Sequence, residues 1–268
     1  MSFLNQISVL ILTYDEAPNI GRTLHQLTWA KRIVVVDSGS TDETIGIVSR
    51  YPQATVLTRP FDDFASQCNF GLSKILSEWV LSLDADYELS PGLISELEEL
   101  SPPDGIAGYS ARFIYRIYGR PLRGTLYPPR TVLYRRALAK YDNEGHGHRV
   151  QVNGPIQLMA GTIYHDDRKP LSRWLASQQK YTKLEADHLL SAAPASLRRA
   201  DKIRLMAWPA PILVFLHTLI AKRCILDGWP GWLYVLQRML AETMIAIELV
   251  DRRLRASSIK SSEEDAAL

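Results

Sequence analysis

This 268-residue chain has little that would tie it to an oxidising compartment, a nucleic acid or a simple membrane span. Its two cysteines, Cys68 and Cys224, lie far apart and lack metal-ligand spacing. That excludes a disulfide framework and fits a reducing compartment, with both thiols read as buried apolar filler. A formal net charge of +2 is too near neutral for a nucleic-acid partner, and no nucleic-acid-binding motif is present. The opening residues, Met1-Ser2-Phe3-Leu4-Asn5-Gln6, carry no basic segment ahead of the apolar stretch, so no targeting peptide is expected and the chain is assigned to the cytosolic side. Internal repeats and low-complexity tracts are missing, apart from a polar end, residues 257–268, expected to be disordered.

What is present is a strand pattern used three times. Apolar stretches at 7–12, 32–36 and 79–83 end in Thr13-Tyr14-Asp15-Glu16, in Asp37-Ser38-Gly39-Ser40-Thr41-Asp42 and in Asp84-Ala85-Asp86. A further short strand at 54–57 and a helix at 64–77 alternate with these, an order that predicts a parallel sheet. Ligands of open α/β sheets bind at the carboxyl ends of the strands, so the three polar tips are expected to face one crevice. Side-chain alternation puts Asp84 and Asp86 on one side if the strand continues through them, where two hard carboxylates suit Mg²⁺ or Mn²⁺. Asp42, just before a helix, is read as a capping acid. After the breaker cluster Ser101-Pro102-Pro103-Asp104-Gly105, the alternating stretches 109–116 and 131–135 predict antiparallel strands with one wet face.

Together the Thr13-Tyr14-Asp15-Glu16, Val36-Asp37-Ser38-Gly39-Ser40-Thr41-Asp42 and Leu83-Asp84-Ala85-Asp86 segments resemble a family 2 inverting glycosyltransferase. The likeness is closest to the subgroup containing the lipopolysaccharide-core glucosyltransferases. It is specific over residues 5–90 and looser to about 190. It implies an α/β GT-A fold with a mostly parallel, Rossmann-like sheet and flanking helices, over residues 1–195. A nucleotide-sugar half covers about 1–100 and an acceptor half about 101–195. It also implies a metal-dependent transferase using a nucleotide sugar, expected to be UDP-linked, and a saccharide or lipid-linked acceptor of bacterial-type envelope polysaccharide or lipopolysaccharide. A polyprenyl-phosphate sugar synthase and a non-catalytic nucleotide-sugar-binding subunit stand as alternatives.

The resemblance also assigns roles. Asp37 would accept from the base or ribose, Thr13, Tyr14 and Glu16 would line the base pocket, and Asp84 would help the metal or ribose. Asp86 would ligate Mg²⁺ or Mn²⁺ directly, with His165 as a distant further ligand, and Arg168 beside it would pair with the diphosphate. Inversion needs one general base and no covalent intermediate. Counting back from Gly154, His148 stands where the subgroup carries its Glu, which leaves His148 and Glu144 as the two candidates, with Asp166 and Asp167 next. His146 and His148 share one side of an extended strand, an arrangement also open to metal binding.

The C-terminal third, residues 196–256, reads as helical. Residues 205–221 contain no charged side chain, but about 17 residues with two prolines near the start is marginal for a span. Basic flanks at Lys202, Arg204, Lys222 and Arg223, with Trp208, Trp229 and Trp232, favour a helical region on the cytoplasmic face of a membrane. Residues 232–250 form an amphipathic pattern carried by Leu233, Leu236, Leu240, Met244 and Ile247. The competing expectation is a helical hairpin packed on the catalytic domain or on a second copy of the chain.

Overall fold

A computed structural model of the protein describes the backbone of residues 3–144 and 147–266, and side chains except those of 143–149 and 259–266. The chain forms two compact units, Met1–Lys169 and Pro170–Leu268.

The N-terminal unit is built on a mixed sheet. Four strands, β1 (Ile7–Thr13), β2 (Ile33–Asp37), β3 (Ala54–Thr58) and β4 (Trp79–Asp84), pair in parallel in the order β3-β2-β1-β4. The helices between them are α1 (Ile20–His25), α2 (Thr44–Val48) and α3 (Phe64–Ser73). Alternation along these strands feeds two cores. Val9, Ile11, Ile33, Val35, Trp79 and Leu81 point to one face, while Leu10, Val34, Val36 and Val80 meet Cys68, Leu72 and Ile75 on the other. A sheet covered on both faces explains why these strands read as continuous apolar runs. Gly71 lets α3 lie against β1 and β2: a Cβ there would overlap Leu10 and come within 3.0 Å of Val36 Cγ2.

The remaining strands are β5 (Tyr87–Leu89), β6 (Gly108–Ile117), β7 (Arg120–Pro121), β8 (Arg130–Arg135), β9 (Ala139–Glu144), β10 (Gly147–Val152) and β11 (Ile156–His165), with α4 (Pro91–Glu99) after β5. The main sheet continues from β4 through β8, β6 and β11 to β5. The expected antiparallel character holds for β4–β8, β6–β8 and β6–β7, but β6 pairs with β11 in parallel. Only Ala85 and Asp86 separate β4 from β5, although these strands stand four places apart in the sheet. Two residues span so little distance that the sheet must roll until β5 returns to the tip of β4. Strands β9 and β10 form a separate antiparallel pair.

The C-terminal unit contains α5 (Leu171–Ser191), α6 (Arg199–Leu205), α7 (Pro209–Leu216) and α8 (Gly228–Ala266). A π-helical segment, His217–Ala221, and a 3-10 turn, Cys224–Asp227, join the last two. Helix α5 therefore belongs to this unit, although the sequence suggested a boundary near residue 195. Helix α8 also runs on to Ala266, where a disordered tail was expected from residue 257. Arg204 anchors the helices to one another by reaching Glu242, Glu185 and Asp201. Both cysteines are buried, as read from the sequence.

Candidate active site

Register brings the strand tips together. Thr13 of β1 lies beside Asp37 of β2, and Leu12 of β1 lies beside Asp84 of β4, so the polar ends form one row at the carboxyl edge of the parallel strands. The loops that follow β1 and β2 are sewn to each other. Asp15, held in the left-handed region at φ 49°, accepts from the Thr41 and Asp42 amides, while its own amide donates to Ser40 Oγ. The Glu16 amide donates to Thr44 Oγ1. Asp42 accepts from the Thr44 amide at the start of α2 and from the Ala17 amide, one residue ahead of the N-cap position, which Glu43 occupies.

Asp37 is buried, and its carboxylate is occupied by its own loop: Oδ2 accepts from the Gly39 and Ser40 amides, each at 2.9 Å, and Oδ1 from Ser40 Oγ. Gly39 sits at φ 93°, a conformation that glycine adopts at little cost. Thr13 Oγ1 is buried without a partner, and Tyr14 is half exposed beside it. Glu16 accepts from Lys169 Nζ at 2.5 Å and from Asn19 Nδ2 at 2.8 Å. Burial and the neighbouring Asp86 charge push its carboxyl up to about 7, against the pull of Lys169.

Asp84 and Asp86 do not share one side by strand alternation, because β4 ends at Asp84 and the chain turns through Ala85 and Asp86 into β5. Thr23 of α1 holds that turn by donating to the Ala85 carbonyl at 2.7 Å. Asp84 remains partly exposed at the tip, whereas Asp86 is buried. His165, which ends β11 and pairs in register with Tyr87, donates through Nε2 to Asp86 Oδ2 at 3.1 Å. The imidazole is packed among the rings of Tyr87, Tyr115 and Tyr127. Burial opposes both charges, yet each supports the other: His165 and Lys169 hold the Asp86 carboxyl below the usual carboxylate range, and Asp86 raises the His165 imidazole. Asp86 Oδ1 and His165 Nδ1 are buried with no partner.

The donor chemistry fits a divalent cation: two carboxylates and an imidazole near one strand tip, with a buried carboxylate oxygen left without a partner. Among the described residues, no three His, Cys, Asp or Glu side chains are already grouped tightly enough to hold an ion.

Arg168 is bonded to the acid two residues before it. Its Nε and Nη2 donate to Asp166 Oδ2 at 3.1 and 2.8 Å. The same oxygen accepts from Arg22 Nη1 at 3.2 Å and from the Gly119 amide at 3.0 Å, and the Asp166 side chain is fully buried. Arg22 also reaches Glu88 and the Asp166 carbonyl, while the Asp166 amide donates to the Asp86 carbonyl at 3.2 Å. This cluster of Asn19, Arg22, Glu88 and Asp166 clamps the His165 segment to α1 and to the Asp86 turn. Nothing in the local sequence marks it, since its members come from three separate stretches. The backbone of Glu144 and His148 lies on β9 and β10, where His148 pairs with Asn143. The side chains of both proposed bases, and His146 entirely, lie outside the described residues.

A sheet of this order with acidic residues at its parallel strand tips is the arrangement of a GT-A-type transferase. Residues 8–159 match glycosyl transferase family 2, and the chain belongs to that family as a glycosyltransferase. An uncharacterized glycosyltransferase of Rickettsia prowazekii is 24% identical over 97% of this chain and 92% of its own length. The lipopolysaccharide core biosynthesis glycosyltransferase LpsC of Rhizobium meliloti is 29% identical over 68% of this chain and 70% of its own. The fold also resembles that of mannosyltransferase PcManGT from Pyrobaculum calidifontis, solved in complex with GDP-Man and Mn²⁺. That likeness has a TM-score of 0.53 at 15% identity and covers 91% of this chain and 87% of that one.

Proposed function

We propose that this glycosyltransferase moves a sugar from a nucleotide-sugar donor, UDP-linked, to a saccharide or lipid-linked acceptor of bacterial-type envelope polysaccharide or lipopolysaccharide, with inversion and with a divalent cation. The observation that supports it is the row of Thr13, Asp37 and Asp84 at adjacent strand ends, with the Asp86–His165 pair beside it. The named role of the Rhizobium relative supports the acceptor class, and the Pyrobaculum enzyme's GDP-Man and Mn²⁺ support a nucleotide-sugar donor and the cation, though not the choice of UDP.

Asp86 and His165 would hold Mg²⁺ or Mn²⁺, with Asp84 beside them. When bound, such a cation neutralises the charge that grows on the departing diphosphate, worth several kcal/mol of transition-state stabilisation. The protein's own contribution is preorganisation. The loop that Asp37 holds through the Gly39 and Ser40 amides would border the base and ribose, with the unpartnered Thr13 Oγ1 at the neighbouring strand end. The Asp166 clamp keeps His165 from drifting. A base on the β9–β10 pair, His148 or Glu144, would take the acceptor hydroxyl proton.

The test is a binding survey of UDP-, GDP- and dTDP-sugars, each with and without Mn²⁺, followed by transfer assays with the donor that binds. Tight, Mn²⁺-dependent binding of one nucleotide class is the expected result. Binding of none, with or without metal, would reject the donor reading.

A further inference from the structure

The C-terminal unit turns apolar side chains outward where a water-facing helix pair would turn polar ones. Helix α7 and the π segment after it carry Trp208, Ile212, Leu216 and Ile220 at four-residue spacing, and all four are exposed. Residues at that spacing share one face of a helix. The opposite face is also apolar. There Ala210, Pro211 and Leu219 are buried, and Phe215 meets Trp232 with ring centroids 6.4 Å apart. The segment is thus apolar on both sides and uncharged from 205 to 221.

Helix α8 repeats the inversion. Its acids Glu242 and Glu248 are drawn to Arg204 and Arg252, while Leu236, Leu240 and Ile247 are exposed. The elbow between α7 and α8 adds Leu226 and Trp229, which is 86% exposed.

We infer that this elbow and the outer face of α7 form a monotopic insertion surface for a bilayer containing anionic lipid. Three observations select that occupant. First, no single described helix is long and apolar enough to cross a membrane; the segments Pro209–Ala221 and Cys224–Ser258 reach that length and apolarity only together, and they meet at a 66° bend that suits entering and leaving one leaflet. Second, Trp208 at one end of the apolar face and Trp229 at the other match the interfacial preference of indole. Third, basic residues bracket the face: exposed Arg199 and Lys202 before it, half-buried Lys222 and exposed Arg223 after it. Of the nearby acids, Asp201 is already bonded to the Arg198 amide and to Arg204, and Asp227 stands in the elbow beside Lys222 and Arg223. Cationic borders complement anionic headgroups. The same borders would oppose each other across a symmetric interface between two copies, since such a contact places like patches together.

The inference does not depend on the donor site, and vesicle binding tests it without any sugar nucleotide. The full chain is sedimented with vesicles of phosphatidylcholine alone or mixed with phosphatidylglycerol. The expected result is binding to the mixed vesicles that weakens as salt is raised. Trp208→Ser and Trp229→Ser should each lower partitioning by roughly tenfold or more, as expected for loss of a large buried apolar group. Lys222→Glu with Arg223→Glu should remove the preference for phosphatidylglycerol. Circular dichroism confirms that each variant is folded. A folded parent that ignores both vesicle types overturns the inference. So does an ultracentrifuge result in which the tryptophan variants convert an oligomer to a monomer while vesicle binding is unchanged.

Discussion

Replacing Asp166 with alanine is expected to destabilise the N-terminal unit by about 3 kcal/mol, the lower end of the range for breaking a buried ion pair. The fully buried Asp166 side chain receives Arg22 Nη1, two nitrogens of Arg168 and the Gly119 amide. Removing the carboxylate leaves these donors facing an apolar methyl. The low end applies because both guanidinium groups can regain water: their side chains are 23% and 37% exposed, and Arg22 keeps Glu88. For a unit of this size each kcal/mol lowers Tm by about 2–4 °C, so a fall of about 6–12 °C is expected. Asp166→Asn retains an acceptor oxygen and should cost less, about 1–2 kcal/mol. Arg168→Ala, at the exposed edge of the cluster, should cost about 1 kcal/mol or less. Urea unfolding followed by circular dichroism and tryptophan fluorescence gives the three values. If Asp166→Ala lies within about 0.5 kcal/mol of the parent, the range of an ordinary surface substitution, the clamp contributes nothing and the reasoning fails.

Gly161→Ala would put its Cβ 2.5 Å from Leu93 Cα, which cannot yield as a flexible side chain would, so a loss of about 1–3 kcal/mol is expected. Gly92→Ala, in the first turn of α4 with open space around it, should instead be neutral or stabilise by up to about 1 kcal/mol; the opposite order in urea titrations would contradict the packing described. Burial pushes the Cys68 thiol well above its ordinary range and the Cys224 thiol up to about 11, so thiolate is scarce at pH 8. Neither thiol should react rapidly with a disulfide reagent until urea is added, and a fast-reacting thiol in the folded protein would show that one is accessible. His148→Ala or Glu144→Gln, whichever removes the base, should cut turnover by about 10²-fold or more with donor affinity near the parent's. If both variants keep full turnover, neither residue is the base, and Asp166 and Asp167 are the next to test.

Strands β1, β2 and β4 were legible because each is buried on both faces and ends abruptly in acids or hydroxyls, a pattern that survives without tertiary information. That Asp42 bonds the first amide of α2 was legible for a similar reason, since such contacts are decided within a few residues, although Glu43 holds the N-cap position. The placement of Asp86 was not. Reading Asp84 and Asp86 on one side assumed an extended chain, but β5 is recruited by β11 at the far edge of the rolled sheet, which forces a turn at Ala85. The basic pair after His165 was equally opaque. Arg168 answers a buried acid two residues away, and Lys169 answers Glu16, 153 residues away. Such pairings are set by the path of the chain and leave no local periodicity. The amphipathic pattern of α8 was visible, but not which side faces outward. That depends on Glu242 finding Arg204, 38 residues earlier.

The account rests on a cation held at Asp86, so the most direct measurement is nucleoside diphosphate release from the preferred nucleotide sugar by parent and Asp86→Asn enzyme, with Mn²⁺ and with excess EDTA. The parent should be active with Mn²⁺ and silent in EDTA, and the folded Asp86→Asn variant should lose about 10²-fold or more, consistent with several kcal/mol of lost stabilisation. Undiminished release by the parent in EDTA, or parent-like turnover by Asp86→Asn, would contradict it.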